Sequence, residues 1–324
     1  MAIMTYAEAG KEALAREMRE DPRVWALGED LGRGGVFGQY KGLAEAFGPS
    51  RIVDTPISEA TIMGAAVGAA LMGTRPVVEM RFADFALCAI DELVNQAAKA
   101  RYMFGGQGRV PLVVREPIGM WRSSAAQHSQ SLEAWYAHIP GLVVVCPYTP
   151  ADNYGLLRAA IRCDDPVVYM EHKDLWAMTG EVDLDAPPLP IGKARLVRQG
   201  SDVTLVAWSG ILRAVEASLD LLRDGPSVEV IDLRSIYPWD CEAVLGSVRR
   251  TGRLLIVHEA VKVGGFGAEI AAAVAAEAFT SLKGPVRRLA APRVPIPYSP
   301  PLEDQCKISA TRIAETVREM MEKG

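Results

Sequence analysis

The sequence lacks paired cysteines and zinc-ligand spacing, and what it lacks narrows the choices. Five cysteines (Cys88, Cys146, Cys163, Cys241 and Cys306) are scattered and odd in number. None forms a C-x-x-C pair, which argues against a disulfide framework or a zinc site and for reduced thiols in an intracellular protein. The apolar run Ala60–Thr74 is shorter than the ~20 residues a membrane span needs. The start, MAIMTYAEAGKEALAREMRED, is charged throughout and reads as an amphipathic helix. It resembles neither a signal nor a transit peptide, so a cytoplasmic location is expected. No G-x-S-x-G elbow and no Walker motif occur, which sets aside the common hydrolase and nucleotide-loop readings. The formal net charge of −5 disfavours a general nucleic-acid binder.

What is present is α/β patterning over 324 residues. A chain longer than about 250–300 residues usually divides into domains. Short Val/Ile/Leu runs alternate with helical segments, the pattern of parallel sheets covered on both faces. Strands are expected at Val24–Gly28, Ile52–Asp54, Pro76–Met80, Val110–Arg115, Leu142–Cys146 and Pro166–Glu171. Helices are expected at Met4–Arg19, Leu43–Phe47, Ala60–Gly73, Phe85–Phe104 and Ala151–Ile161. The acid- and proline-rich run EVDLDAPPLP (181–190) reads as linker. The alternation then restarts, with strands at Val203–Trp208, Val228–Leu233, Leu254–Glu259 and Val286–Leu289. Helices follow at Leu212–Arg223, Asp240–Thr251, Ala268–Phe279 and Ser309–Glu322. The expected fold is two doubly wound α/β domains: residues 1–180, a linker over 181–195, and a smaller domain over 196–324.

The second region shows no G-x-G-x-x-G. Its GGFG turn (264–267) therefore reads as a glycine bend that lets a helix pack close to a sheet.

One stretch raises a chemical question. DTPISEATIMGAAVGAALMGTRPVVEM (54–80) is almost wholly small or apolar, yet carries Glu59 near its head. A buried carboxylate is costly unless paired. Glu59 either caps a helix in contact with water or has a partner. His128 lies in the polar loop SSAAQHSQS, where α/β proteins commonly hold ligands. His138, in AWYAHIPG, is expected to pack, and His172 and His258 end strands. Phe82 and Phe85 follow a strand directly and suit either a core or a stacking surface for a flat ring. These residues give a candidate site of Glu59, Phe85 and His128 without naming a reaction.

Six segments carry a resemblance: GEDLG (28–32), ISEATIMGAAVGAALMGTRPVVEM (57–80), DELVNQAAKARYMFGGQ (91–107), QHSQSLEAWYAHIPGL (127–142), EHKDLW (171–176) and GGFGAEI (264–270). From about residue 4 to about 320 the chain resembles the β subunit of the thiamine-diphosphate-dependent decarboxylase component of 2-oxo acid dehydrogenase complexes. The resemblance implies a transketolase-like arrangement, with an N-terminal pyrimidine-binding domain and a smaller C-terminal domain. It implies an α subunit in a two-α, two-β heterotetramer, and docking on a lipoyl-bearing acyltransferase core. In the family the α chain holds the diphosphate and Mg²⁺ through a GDG…N motif. This chain has no GDG triplet, as half of an active site would.

On the same resemblance, Glu59 hydrogen-bonds a ring nitrogen of the cofactor's aminopyrimidine, and an apolar setting would aid its proton exchange. Phe85 packs on that ring, Ile57 lies near it, and His128 reaches the substrate. A family potassium site implies backbone ligands at Leu112, Ala160, Ile161, Cys163 and Asp165. The stretch IGMWRSSAAQHSQ departs from the family's glycine-rich pattern, since Met120, Trp121 and Arg122 intrude near the expected mouth of the site. RYMFGGQ and EHK lean toward a pyruvate- or acetoin-type substrate. The alternatives are an acetoin dehydrogenase β subunit, a branched-chain 2-oxo acid dehydrogenase β subunit and a non-catalytic assembly subunit.

Overall fold

Eight strands, β1 (Ala2–Thr5), β2 (Val24–Gly28), β3 (Ile52–Asp54), β4 (Arg75–Glu79), β5 (Val113–Ile118), β6 (Val143–Val145), β7 (Val167–His172) and β8 (Thr179–Val182), build the first part of the chain. The structure is a computed structural model and describes residues 1–322. Two units divide the chain: Met1–Ile118 with Trp135–Ile191, and Gly119–Ala134 with the residues from Gly192 onward.

In the first unit, strands run in the order β6-β7-β5-β4-β2-β3, all parallel. Helices α1 (Tyr6–Glu20), α2 (Leu43–Phe47), α3 (Glu59–Leu71), α4 (Ala83–Ala86), α5 (Ala98–Met103), α6 (Glu133–Ala137) and α7 (Pro150–Arg162) accompany them. The strands are apolar on both faces because helices cover both. Leu14, Met18, Val77, Val113, Leu156 and Val167 share one buried cluster.

Helix α1 starts two residues later than the apolar pattern predicts, because Thr5 and Glu8 form a reciprocal capping box. The residues before it form β1, antiparallel to β8. Glu181 and Val182, expected in a linker, thus lie in a strand. Helix α7 packs on α1, where buried Glu17 binds Arg158 at 2.8 Å and Arg162 at 2.7 Å.

The long helix expected over Phe85–Phe104 is broken. After α4 comes a 3₁₀ turn at Leu87–Ala89, a π-helical stretch at Asp91–Ala97, and then α5. Asp91 accepts side-chain hydrogen bonds from Asn95 (2.7 Å) and Gln96 (3.3 Å), a spacing that suits the wider turn.

The second unit has strands β9 (Arg195–Arg198), β10 (Val203–Ala207), β11 (Val228–Asp232), β12 (Ser235–Tyr237), β13 (Leu254–Val261) and β14 (Arg287–Ala291). Its sheet order is β14-β13-β10-β11-β9, with only β9 antiparallel. Helices α8 (Leu212–Leu221), α9 (Cys241–Thr251), α10 (Gly267–Glu277), α11 (Pro300–Cys306) and α12 (Ala310–Glu322) complete it. Asp240 caps α9 through Ala243 N–H. Gly265 and Gly267 press against the buried ring of His258, where a Cβ would approach within 2.6 and 2.9 Å, so the GGFG turn is a packing device. Among the described residues no helix is long and apolar enough to cross a membrane.

Candidate functional site

In parallel α/β sheets, ligands gather at the carboxyl ends of the strands. Strands β2 and β4 are neighbours, with Gly28 paired to Glu79. The residues just beyond them meet: Arg81 Nε lies 3.4 Å from Glu29 and its Nη2 pairs with Asp30. Asp30 adopts a left-handed backbone, φ 59°, which a short polar side chain tolerates.

Glu59 is the first residue of α3, and Ser58 before it makes no side-chain cap. The helix dipole favours a carboxylate there. Glu59 is half-buried rather than enclosed by apolar groups, because Ser58 is half-buried and Ile57 is 76% exposed. Burial raises the pKa of Glu29; Arg81 opposes the rise, and the charges of Glu59 and Asp30 add to it.

An aromatic wall begins at the residue after Arg81. Phe85 is half-buried and meets Phe82 edge-on at 5.3 Å. Phe82 meets Phe37 at 6.3 Å, and Phe37 lies on Trp176 at 4.1 Å. Buried Lys173 places Nζ 4.8 Å from the Phe82 ring centre, a cation–π contact. The wall offers a flat ring an aromatic surface that is partly open.

His128 closes a 3₁₀ turn, Ala126–His128, and is half-buried. The structure groups it with the second unit, whereas Ile57, Glu59 and Phe85 belong to the first. Its loop is tied to the second unit by three carboxylates. Glu259 accepts from Met120 N–H (2.6 Å), Glu303 accepts from Ser123 N–H (2.9 Å), and Glu133 accepts from Trp208 Nε1–H (3.1 Å). Arg122, Ser123 and Ala125 hold φ of 49°, 56° and 65°, a costly region for residues with a Cβ. Of the intruding residues, Met120 is buried, while exposed Arg122 lies 4.9 Å over the Trp121 ring.

The other histidines separate clearly. His138 is exposed, not packed as its aromatic surroundings led one to expect. His172 accepts from Asp174 N–H at 3.2 Å and caps a turn. His258 stacks on Trp208 at 5.2 Å, and burial lowers its pKa to about 4, so it is neutral at physiological pH.

At the expected cation ligands, the carbonyls of Ile161 and Cys163 accept hydrogen bonds from Arg75 Nη1 at 3.0 and 2.9 Å. Leu112 and Ala160 carbonyls accept from Val167 and Cys163 amides. Asp165 pairs with Arg101. Among the described residues no cluster of three or more His, Cys, Asp or Glu side chains could hold a metal.

One feature escaped the sequence reading. Arg115, 1% exposed, binds Glu171 through Nε (2.7 Å) and Nη2 (2.9 Å). Its Nη1 lies 3.7 Å from Glu79, also buried. Burial raises the Glu79 pKa to about 7; Arg115 opposes the rise and the Glu171 charge adds to it. The available signal was a charged residue inside or ending each of three apolar strand runs: PVVEM, VPLVVR and PVVYME.

Comparison with known proteins gives the family. Residues 2–178 match the family described as transketolase, pyrimidine binding domain, and residues 192–313 match transketolase, C-terminal domain. The acetoin:2,6-dichlorophenolindophenol oxidoreductase subunit beta of Cupriavidus necator is 45% identical, covering 97% of this chain and 96% of the relative. The 2-oxoisovalerate dehydrogenase subunit beta of Bacillus subtilis is 42% identical, over 99% of this chain and 100% of the relative. The pyruvate dehydrogenase E1 component subunit beta of Rhizobium meliloti is 46% identical, over 98% of this chain and 69% of the relative. In fold alone, the chain matches a solved split-gene transketolase, an inactive beta4 tetramer, with a TM-score of 0.81 at 23% identity and 99% coverage of each chain.

Proposed function

Because the chain belongs to the transketolase-like β subunits of 2-oxo acid and acetoin dehydrogenases, we propose that it supplies the pyrimidine half of a thiamine-diphosphate site to an α subunit. The reaction is the oxidative decarboxylation of a 2-oxo acid, pyruvate in the first instance. The carrying observation is Glu59, a half-buried carboxylate at the uncapped head of α3.

The residues suit an aminopyrimidine: a solvent-reachable carboxylate, an exposed isoleucine and a half-open phenylalanine face. When bound, thiamine diphosphate supplies the nucleophilic carbon and the electron sink. Glu59 holds and exchanges a proton at its carboxylate oxygen toward the ring. Phe85 and Ile57 orient the ring by packing, and Phe85 excludes water from one face. His128 moves a proton to or from the substrate through an imidazole nitrogen.

We assign Mg²⁺ and the diphosphate to the α partner, since this chain carries no GDG triplet. The assembly proposed is two α and two β chains, delivering the acyl group to a lipoyl-bearing acyltransferase core. The carbonyls proposed for potassium fit it poorly. Two of them hold the Arg75 guanidinium, and a second cation beside it would be repelled unless Asp164 and Asp165 offset the charge. No step depends on potassium.

A second reading, acetoin cleavage, is favoured by the Cupriavidus necator relative, which the chain matches nearly end to end. The test is to co-purify the chain with its α partner and follow thiamine-diphosphate-dependent reduction of an artificial acceptor. Pyruvate, a branched-chain 2-oxo acid and acetoin are compared in parallel. Turnover of pyruvate that needs both the partner and cofactor is expected. Turnover by the chain alone would overturn the half-site reading. Full activity of a Glu59→Gln complex would reduce the chain to a scaffold.

A further inference from the structure

We propose that Glu79 is a positioning residue for the aromatic wall, fastening the glycine-rich loop Gly32–Gly42 to the sheet so that Phe37, Phe82 and Phe85 stand in register. This rests on the reading that Phe85 packs on the cofactor's ring.

The contacts form a continuous chain. Glu79 ends β4 and is 4% exposed. It accepts from Tyr40 O–H at 2.9 Å and from Gln39 Nε2–H at 3.2 Å. Gln39 Oε1 in turn accepts from Phe37 N–H at 2.9 Å. Phe37 carries the contact to Trp176 and Phe82, and Phe82 carries it to Phe85. The loop needs this latch. Gly34, Gly35, Gly38 and Gly42 all have φ between 77° and 98°, so its own backbone prefers no single course. Beyond the end of the 3₁₀ turn Leu31–Arg33, its described residues form no helix or strand.

The latch is electrically unbalanced. Glu79 faces Arg115 from β5, Glu171 from β7, and Tyr40 and Gln39 from the loop. Arg115 gives its two good hydrogen bonds to Glu171 and leaves Glu79 the longer approach. Two buried carboxylates therefore share one guanidinium. When ionised, Glu79 accepts from Tyr40 and Gln39 with charge assistance. Once protonated, it loses that charge assistance, and its hydrogen bonds to the loop weaken. The loop, and through it the wall, is held more firmly above pH about 7 than below it.

The first readout needs no cofactor. Trp176 packs on Phe37 and reports the wall through its near-ultraviolet circular dichroism. In the full chain this signal should titrate with a midpoint near pH 7. The transition should vanish in Glu79→Gln and in Trp176→Phe. A signal flat across neutral pH in the unaltered chain would overturn the latch, as would a transition that survives Glu79→Gln.

The second readout is the thiamine diphosphate concentration that half-saturates the αβ complex. It should rise about tenfold in Glu79→Gln at pH 8, with kcat changed far less, as expected for loss of charge-assisted hydrogen bonds that only position a surface. Tyr40→Phe, which leaves the buried ion pair intact, should shift it in the same direction by less. Unchanged half-saturation in both variants would overturn the positioning role. Failure of the cofactor reading shows separately: Phe85→Ala would leave half-saturation unchanged while the Trp176 titration persisted.

Discussion

Glu303 accepts hydrogen bonds from both the backbone amide and the hydroxyl of Ser123, at 2.9 and 3.2 Å. A buried carboxylate of α11 thus fixes a strained turn five residues ahead of His128. Three non-glycine residues at positive φ persist only where the surroundings over-determine them.

Removing that anchor should be felt in both stability and turnover. Glu303→Ala is expected to cost about 2 kcal/mol by urea denaturation, because it strips a charged acceptor from a backbone donor. It should also lower kcat of the αβ complex by loosening the loop that carries His128. Glu303→Gln keeps an acceptor and should recover most of both. Equal losses in the two variants would point to packing rather than to the hydrogen bonds.

Glu59→Gln separates chemistry from folding. Glu59 is half-buried at a helix start, so its loss should change stability by no more than about 1 kcal/mol. Activity should fall by about 10²–10⁴-fold, the range for losing a general acid–base group. A thermal melt alongside the acceptor assay checks both.

The ionisation of Glu79 predicts an unusual pH dependence. Its folded-state pKa, about 7, lies above the ordinary carboxyl value of 4.5. Between these values the folded chain binds the extra proton. Its contribution to stability is therefore fully present below about pH 4.5 and is lost as pH rises through about 7. The loss is on the order of 3 kcal/mol. Glu79→Gln, which mimics the protonated form, should be at least as stable as the unaltered chain at pH 8 while binding cofactor less well. Denaturation at pH 5 and pH 8 on both proteins tests the sign. A variant much less stable at pH 8 would contradict it.

Arg122 offers a substrate test. Exposed, and at φ 49°, it can be replaced by glycine with a stability change below about 1 kcal/mol, since relief of backbone strain offsets glycine's added unfolded-state entropy. If its charge meets a substrate carboxylate, Arg122→Gly should raise KM for pyruvate and leave KM for acetoin unchanged. A parallel rise for both would remove Arg122 from substrate recognition.

The parallel strands were legible in the sequence because burial on both faces demands continuous apolar runs. The runs VWALG, IVD and VTLVA mark their strands almost to the residue. Glu59 stood out for a related reason, as one acid at the head of an apolar segment. Edge strands were not legible. β1 and β9 are only four residues long and have no buried residue, and pairing defines them: β1 finds its partner in β8, far along the chain. Nor could local pattern show that residues 83–103 would break into short helices, since side-chain bonds from Asp91 across four and five residues compete with uniform α geometry. The loop carrying His128 lies between two segments of the first unit, yet carboxylates from later in the chain hold it in the second. The Glu79–Arg115–Glu171 network is likewise a product of register: parallel pairing sets Glu79 beside Arg115 and Arg115 beside β7. Sequence periodicity decides which face of an element is buried. Tertiary structure alone decides which buried charge meets which, because that depends on strands far apart in the chain arriving at one level of the sheet.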